Sequence, residues 1–177
     1  DVTAESGAAR ASRPNLGWGT GFADFDNDGW LDLFVANGHV YPEVDRLKEI
    51  SRYLQPKELY RNLGGGRFAE VSGVVAGDLK TPRAARGAAF GDYDNDGDID
   101  VLAINVNSRP NLYRNDGGNR KPWIGFRLAG AASNRDAIGA RVEIEAGGRT
   151  QAGEVRSGGS YLSHNDMRVH FGLGTAD

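Results

Sequence analysis

The sequence predicts an all-β protein, and three observations support this prediction. Glycine accounts for 26 of the 177 residues whereas methionine occurs once, which favours short strands and tight turns over long helices. Short runs of alternating apolar residues are separated by turns rich in Gly, Asn and Asp. An acidic loop also occurs twice, as FADFDNDGW over residues 22–30 and as FGDYDNDGD over residues 90–98. A duplicated β unit accounts for all three features.

The similarity between the two copies extends beyond the acidic loops. The matching segments are GTGFADFD and GAAFGDYD (19–26 and 87–94), LDLFVAN and IDVLAIN (31–37 and 99–105), and LYRN (59–62 and 112–115). The predicted strands cover 17–23, 31–37, 57–62 and 67–71 in the first copy and 86–91, 99–105, 110–115 and about 122–129 in the second. Four antiparallel strands in a unit of this length are typical of a β-propeller blade.

The first copy also carries an insert over 39–58. Within it, Val44, Leu47, Ile50 and Leu54 recur at helical spacing, which predicts one short amphipathic helix over 43–54. The N-terminal DVTAESGA resembles EVSGVV, the stretch that closes the first copy, so we expect the chain to begin where a preceding blade ends. The predicted units are the end of a preceding blade with a lead-in (1–16), a first blade (17–85), a second blade (86–121) and a small, different C-terminal β unit (122–177).

Composition excludes several functional classes. The chain has no cysteine, so disulfides and thiolate chemistry are absent. No apolar run reaches the roughly 18 residues that a membrane span needs, and the basic residues are too scattered for a nucleic-acid interface. Nine of the 24 acidic residues lie within 24–32 and 92–100, leaving 15 against 21 basic residues elsewhere. Acid concentrated at two points indicates cation sites.

Each acidic loop has the pattern of a metal site. The predicted ligands are Asp24, Asp26, Asp28, Trp30 and Asp32 in the first loop and Asp92, Asp94, Asp96, Asp98 and Asp100 in the second, with Trp30 and Asp98 acting through their backbone carbonyls. Gly29 and Gly97 permit the positive φ that curls the carboxylates inward. Crowded oxygen ligands suit Ca²⁺, which takes six to eight donors, better than Mg²⁺. We therefore expect two calcium sites.

A calcium loop of this kind has two alternatives. An EF-hand needs a bidentate Glu at position 12, where these loops have Val35 and Ala103 in strand-like runs, so that alternative fails. Asp-, Asn- and Gly-rich stretches also form plain solvated turns. However, two carboxylates about 4 Å apart repel by roughly 4 kcal/mol at an effective dielectric constant near 20, so an ordered loop without a cation is unfavourable. Because all ligands come from one loop, the expected role of the metal is structural.

These motifs resemble known families. GFADFDNDGWLDLFVAN and AFGDYDNDGDIDVLAIN resemble FG-GAP/VCBS repeats, the calcium-loop blades of integrin α-chain-like propellers. Residues 133–174, with NRDAIGARV followed by HFGLG, resemble the ASPIC/UnbV domain of bacterial surface proteins and cartilage acidic proteins. The resemblance implies a propeller, an extracellular, cell-surface or periplasmic location, and no established catalysis by the tail.

Other candidate chemistry is weak, so we expect no enzyme. His39, His164 and His170 lack zinc-ligand spacing, and Ser160 has no nucleophile elbow. Trp30, near a loop tip, is the candidate platform for a carbohydrate. The predicted function is a calcium-binding extracellular interaction or scaffold module; the alternatives are a carbohydrate-binding module or an accessory part of a larger enzyme or complex. The expected partners are a protein or glycan at a cell surface, or further chains that complete the propeller.

Overall fold

The computed structural model of the chain describes residues 1–47, 50–75 and 77–176 and confirms the all-β prediction. The first blade is one antiparallel sheet in the order β1-β2-β3-β4. Its strands are β1 (Gly17–Ala23), β2 (Asp32–Asn37), β3 (Glu58–Asn62) and β4 (Phe68–Glu70). Gly64, Gly65 and Gly66 all have positive φ in the β3–β4 hairpin, a conformation that side chains disfavour.

The second blade has three strands in place of the predicted four. They are β5 (Ala85–Gly91), β6 (Asp100–Asn105) and β7 (Asn111–Tyr113), in that order. The prediction of a fourth blade strand over 122–129 is wrong, because β8 (Trp123–Phe126) pairs with β13 (Val169–Gly172) in the C-terminal unit. A 3₁₀ turn at Gly118–Arg120 directs the chain away from β7 before β8 begins.

The C-terminal unit is the small separate β structure that the sequence predicts. Besides the β8–β13 pair it contains the hairpin of β9 (Arg141–Ala146) and β10 (Arg149–Glu154) and the short pair β11 (Gly159–Ser160) and β12 (Ser163–His164). Its core is small: Val155, Val169 and Phe171 form the buried cluster. Burial in this unit is therefore limited, and contacts with the blades contribute to its placement.

The insert contains a shorter helix than predicted. A 3₁₀ helix spans Pro42–Arg46 and buries Val44, so a helical turn exists in the insert. Its predicted extent over 43–54 is wrong: Leu47 is extended and Ile50 is 86% exposed, while residues 48 and 49 lie outside the described residues.

The helix ends at Arg46 because the residues around it form other hydrogen bonds. The carboxylate of Asp45 accepts the backbone N–H of Tyr53 at 2.8 Å, and the Tyr53 carbonyl accepts the N–H of His39 at 3.0 Å. These bonds fold the segment back on itself as a loop, which a helix over the same residues could not satisfy.

The two blades pack face to face around one buried cluster. Phe34 of the first blade meets Phe90 of the second edge-on, with ring centroids 5.8 Å apart. Gly21 allows this approach, since a Cβ at that position would lie 2.4 Å from the Phe90 ring. Each acidic loop joins the first two strands of its blade. The close packing of the blades therefore places both loops at the same end of the pair.

The N-terminal segment lies against the first blade. It contains the short helix α1 (Ala9–Ser12), which the sequence patterns did not indicate. The carbonyl of Ser6 accepts the N–H of Phe68 at 2.7 Å, and Asn15 donates to Glu58 at 2.8 Å. Among the described residues, no helix has the length and apolarity that crossing a membrane would require.

Candidate metal centre

The first loop is held in shape by two of its own carboxylates. Asp24 accepts the backbone N–H groups of Asp28 at 3.0 Å and Gly29 at 2.7 Å. Asp32 accepts those of Phe25 at 3.2 Å and Asn62 at 2.8 Å, which ties the loop to β3. Because these carboxylates accept backbone amides, the loop turns inward without losing backbone hydrogen bonds.

The second loop repeats this arrangement. Asp92 accepts the N–H groups of Asp96 and Gly97, each at 3.1 Å. Asp100 accepts those of Tyr93 at 3.1 Å and Asn115 at 2.8 Å. Asn27 and Asn95, at the fourth position of each loop, both have positive φ, as do the two following glycines, Gly29 and Gly97. The duplication in sequence is therefore a duplication of hydrogen-bonding geometry.

Each loop gathers three carboxylates that could hold a cation. The oxygens of Asp24, Asp26 and Asp28 lie within 4.8 Å of one another, and so do those of Asp92, Asp94 and Asp100. The other predicted carboxylate ligands also lie in the loops: Asp32 binds the two amides named above, and Asp96 accepts the N–H of Asp98 at 2.9 Å. The roles assigned to the Trp30 and Asp98 carbonyls stay predictions.

Burial makes the charged form of several loop carboxylates costly. Removal from water raises the pKa of Asp24 to about 6 and that of Asp32 to about 7. Burial also raises the pKa of Asp100 above its ordinary value. A cation bound nearby would favour the charged form of these groups and lower their pKa values.

The donor set fits a hard divalent cation. Asp26 Oδ1 is buried without a hydrogen-bond partner among the described residues. Every side-chain atom in the two clusters that could coordinate a metal ion is a carboxylate oxygen, the ligand type that Ca²⁺ and Mg²⁺ prefer. The first cluster also has basic neighbours: Asp26 Oδ2 lies 2.6 Å from Arg61 Nη2 and 3.5 Å from Lys121 Nζ. In the second loop the equivalent arginine, Arg114, pairs with Asp116 at 2.8 Å. Arg61 and Lys121 therefore compete with a metal ion at the first cluster, whereas Arg114 pairs with a carboxylate outside the second cluster.

The C-terminal unit contacts both loops, which the sequence patterns did not indicate. Arg149 donates to the carbonyls of Asp28 and Gly29, and its guanidinium lies 3.8 Å from the centre of the Trp30 ring. Trp30 is 41% exposed, but this cation–π contact occupies a ring face that a sugar would need. These contacts join residues about 120 positions apart, so no local motif could reveal them.

Comparison with protein-family models finds matches for two segments of the chain. Residues 50–103 match the family described as an FG-GAP-like repeat, and residues 130–177 match the family described as ASPIC and UnbV. The first match runs from the end of the insert through the second acidic loop into β6. No curated protein matches the chain. The resemblance predicted from the sequence, an FG-GAP repeat followed by an ASPIC/UnbV region, is thereby confirmed.

Proposed function

We propose, on the premise that the chain carries an FG-GAP-like repeat followed by an ASPIC and UnbV region, that it is a calcium-binding extracellular interaction module without catalytic activity. Domains of these two families suggest an extracellular or scaffold-type module. The observation that supports calcium most strongly is that each loop gathers three carboxylates whose oxygens lie within 4.8 Å of one another: Asp24, Asp26 and Asp28 in the first, and Asp92, Asp94 and Asp100 in the second.

In this proposal, hydrogen bonds within the chain hold each loop in shape independently of a bound cation. Asp24 and Asp92 hold the backbone amides of the fifth and sixth loop positions. Asp32 ties the first loop to β3 through Asn62, and Asp100 ties the second loop to Asn115, just after β7. A bound Ca²⁺ would supply the positive charge that offsets the repulsion among the carboxylates. The metal therefore has a structural role in this proposal.

The proposed location follows from calcium supply. Extracellular calcium modules commonly have a Kd near 10⁻⁴–10⁻³ M, so such sites fill outside a cell and stay empty in most cytoplasm. FG-GAP-like and UnbV domains are typically extracellular or surface-associated, which supports the same location. We place the protein at a cell surface, in the periplasm or in the extracellular space.

The interaction surface that we propose is the outer face of the second blade. There Leu102, Ile104 and Leu112 are 40%, 47% and 51% exposed and lie side by side on β6 and β7. The equivalent positions of the first blade include Phe34 and Ala36, which are 1% and 0% exposed because the second blade covers them. The same face of the repeat is thus buried in one blade and open in the other.

The partner that this face fits is a second copy of the chain. Between the two blades, Phe90 of the second blade covers Phe34 of the first. The residue equivalent to Phe90 in the first blade is Phe22, which is 61% exposed. A head-to-tail pair would bury Phe22 of one copy against Leu102 of another, because Phe90 contacts Phe34 and Leu102 is the equivalent of Phe34 in the second blade. We expect F22S and L102S to be monomers in sedimentation velocity, while their mixture forms 1:1 dimers. A wild-type chain that stays monomeric at about 0.1 mM, a concentration well above a Kd of 1 μM, would overturn this choice of partner and favour a protein or glycan.

Thermal melting in calcium, in magnesium and in EGTA tests the metal. A cation that binds only the folded loop stabilises it by about 1.4 kcal/mol per site at roughly ten times its Kd. We expect calcium to raise the Tm, magnesium at the same concentration to raise it less, and EGTA to reverse the change. Melting curves that coincide in all three buffers would contradict the proposal.

A further inference from the structure

The C-terminal unit holds the first acidic loop by its backbone. Besides the two carbonyls bound by Arg149, the carbonyl of Asn27 accepts the N–H of Gly174 at 2.9 Å. The ring of His170 approaches Asn27 Oδ1 through Nε2 at 2.6 Å. Gly172 packs so closely on this loop that a Cβ there would lie 2.1 Å from Asp24 Oδ2. All of these contacts are made to the inward-curled form of the loop.

The same unit holds the second loop in a parallel way. Arg168 donates to the Asp92 carbonyl and, at 2.7 Å, to Asn95 Oδ1. The N–H of Asp166 donates to the carbonyl of Phe90 at 2.9 Å, at the start of the loop. The ring of Trp123 packs on Gly97, where a Cβ would lie 2.1 Å from it. One strand pair, β8 and β13, with its flanking residues, therefore spans both loops.

Asn27, a residue of the first loop, contacts both the second loop and the C-terminal unit. It is 1% exposed, its Nδ2 donates to the Gly97 carbonyl of the second loop at 3.1 Å, and its Oδ1 contacts His170. Its counterpart Asn95 is exposed and contacts Arg168, without reaching across to the first loop. The two asparagines share a position in the repeat and a positive φ, yet one bridges the loops and the other does not.

We propose that the two acidic loops form the docking surface for the C-terminal unit, and that Asn27 couples cation binding in one loop to the other loop and to that docking. The inference rests on the proposed calcium sites. A cation fixes the carboxylates of Asp24 and Asp92, and these carboxylates hold the backbone amides of their loops. In the same stretches of backbone, the carbonyls of Asp28 and Gly29 accept from Arg149, and the carbonyl of Gly97 accepts from Asn27. Because linkage is reciprocal, docking must raise the affinity of the loops for the cation by the same factor.

Calcium calorimetry and hydrogen exchange on the whole chain test this coupling together. We expect the wild type to bind the second calcium at least about fivefold more tightly than the first, after correction for the intrinsic difference between sites measured in D26N and D94N. Calcium should also slow amide exchange at Asp166 and Gly174, whose N–H groups donate to the blades.

The variant Asn27→Gly removes the bridge while keeping a residue that adopts positive φ freely. This variant should still bind two calcium ions, but the first ion should raise the affinity for the second by about twofold or less. Amide hydrogen exchange at Gly174 should be faster than in the wild type. Asn95→Gly is the matched control: it loses one contact with Arg168 and should keep the coupling between the loops. Should Asn27→Gly fail to fold, Arg149→Gln loosens the docking of the C-terminal unit on the first loop and should weaken calcium binding at both loops, with faster exchange at Gly174; a loss confined to the first loop would overturn the coupling.

The outcomes separate this inference from the function on which it rests. No calcium binding by the wild type would overturn the proposed function. Two independent sites, with exchange at Asp166 and Gly174 unchanged by calcium, would leave the calcium proposal standing and overturn the coupling. Equal coupling in the wild type and in Asn27→Gly would overturn the role given to Asn27.

Discussion

Asp32 and Asp100, 68 residues apart in the sequence, make the same pair of backbone hydrogen bonds in two different blades. Each carboxylate accepts one N–H from the residue seven positions before it and one from the asparagine that ends LYRN, at distances of 2.8–3.2 Å. The acidic loop is thus a folding element of the blade as well as a candidate cation site. Substitutions in and around the loop separate these two roles.

Asp24 should matter for stability even without a metal. Replacing it with Ala leaves the N–H groups of Asp28 and Gly29 without their acceptor, which costs about 1–3 kcal/mol when such groups are partly buried. Asp26→Ala removes a carboxylate that contacts Arg61 and Lys121 instead. In urea unfolding with EGTA, D24A should be clearly less stable than D26A. Equal stabilities would show that the amide contacts of Asp24 contribute nothing.

Arg61 should compete with the cation in the first loop. Its guanidinium lies 2.6 Å from Asp26 Oδ2 and 3.5 Å from Asp28 Oδ2, so a bound cation must displace it. We expect Arg61→Gln to tighten calcium binding at the first site several-fold, an effect of about 1 kcal/mol. Arg114→Gln, the equivalent change in the second copy, should have little effect because Arg114 pairs with Asp116. Calorimetry that finds both variants alike would contradict this difference between the sites.

The contact between the blades leaves no room beside Phe90. A Cβ at Gly21 would lie 2.4 Å from its ring, so Gly21→Ala forces the ring or the strand to shift at a cost of about 1–3 kcal/mol. Gly73→Ala is the control, since a Cβ there would lie 3.7 Å from Lys80. Thermal melts in EGTA measure both. A Gly21→Ala variant as stable as the control would mean that the blades pack less closely than described.

His170 should make stability fall in mild acid. Burial lowers its pKa below the ordinary 6.5, with Asp92 opposing the shift and Arg168 adding to it; Trp123 stacks on the ring. The unfolded chain then binds the proton more readily, so this contribution is complete above about pH 6.5 and is lost as the pH falls through the folded pKa. The unfolding free energy of wild type minus that of His170→Gln should therefore decrease from pH 7 to pH 5. A difference independent of pH would contradict the shift, which NMR titration of the ring measures directly.

The sequence predicted those features that depend on local patterns. The strands of the first blade, the hairpin glycines and the acidic loops follow from alternation, turn residues and the internal repeat. The pairing of β8 with β13 could not be read from β8 alone, because a strand's sequence does not name its partner. The predicted extent of the helix over 43–54 is wrong because Asp45 accepts a hydrogen bond from the backbone of Tyr53, a contact that a hydrophobic pattern does not indicate.

The contacts of the C-terminal unit with the loops lay beyond sequence patterns for a related reason. Arg149 and His170 lie in alternating strands and Arg168 directly precedes β13, and only the packing of the two units brings the three side chains to the loops. The shared Asn of the DNDG motifs was the one available signal. Its two copies then proved to have different contacts, which a single sequence cannot distinguish.

Calcium titration by calorimetry, on the wild type, Asp26→Asn and Asp94→Asn, decides whether the two acidic loops are calcium sites. Asp26 contacts side-chain cations and Asp94 is exposed, so each change removes a ligand charge with little disturbance of the loop backbone. We predict two calcium ions per wild-type chain and one in each variant, with a Kd no weaker than about 1 mM. No binding up to about 10 mM, or a stoichiometry unchanged by either substitution, would contradict the claim and leave the loops as solvated turns.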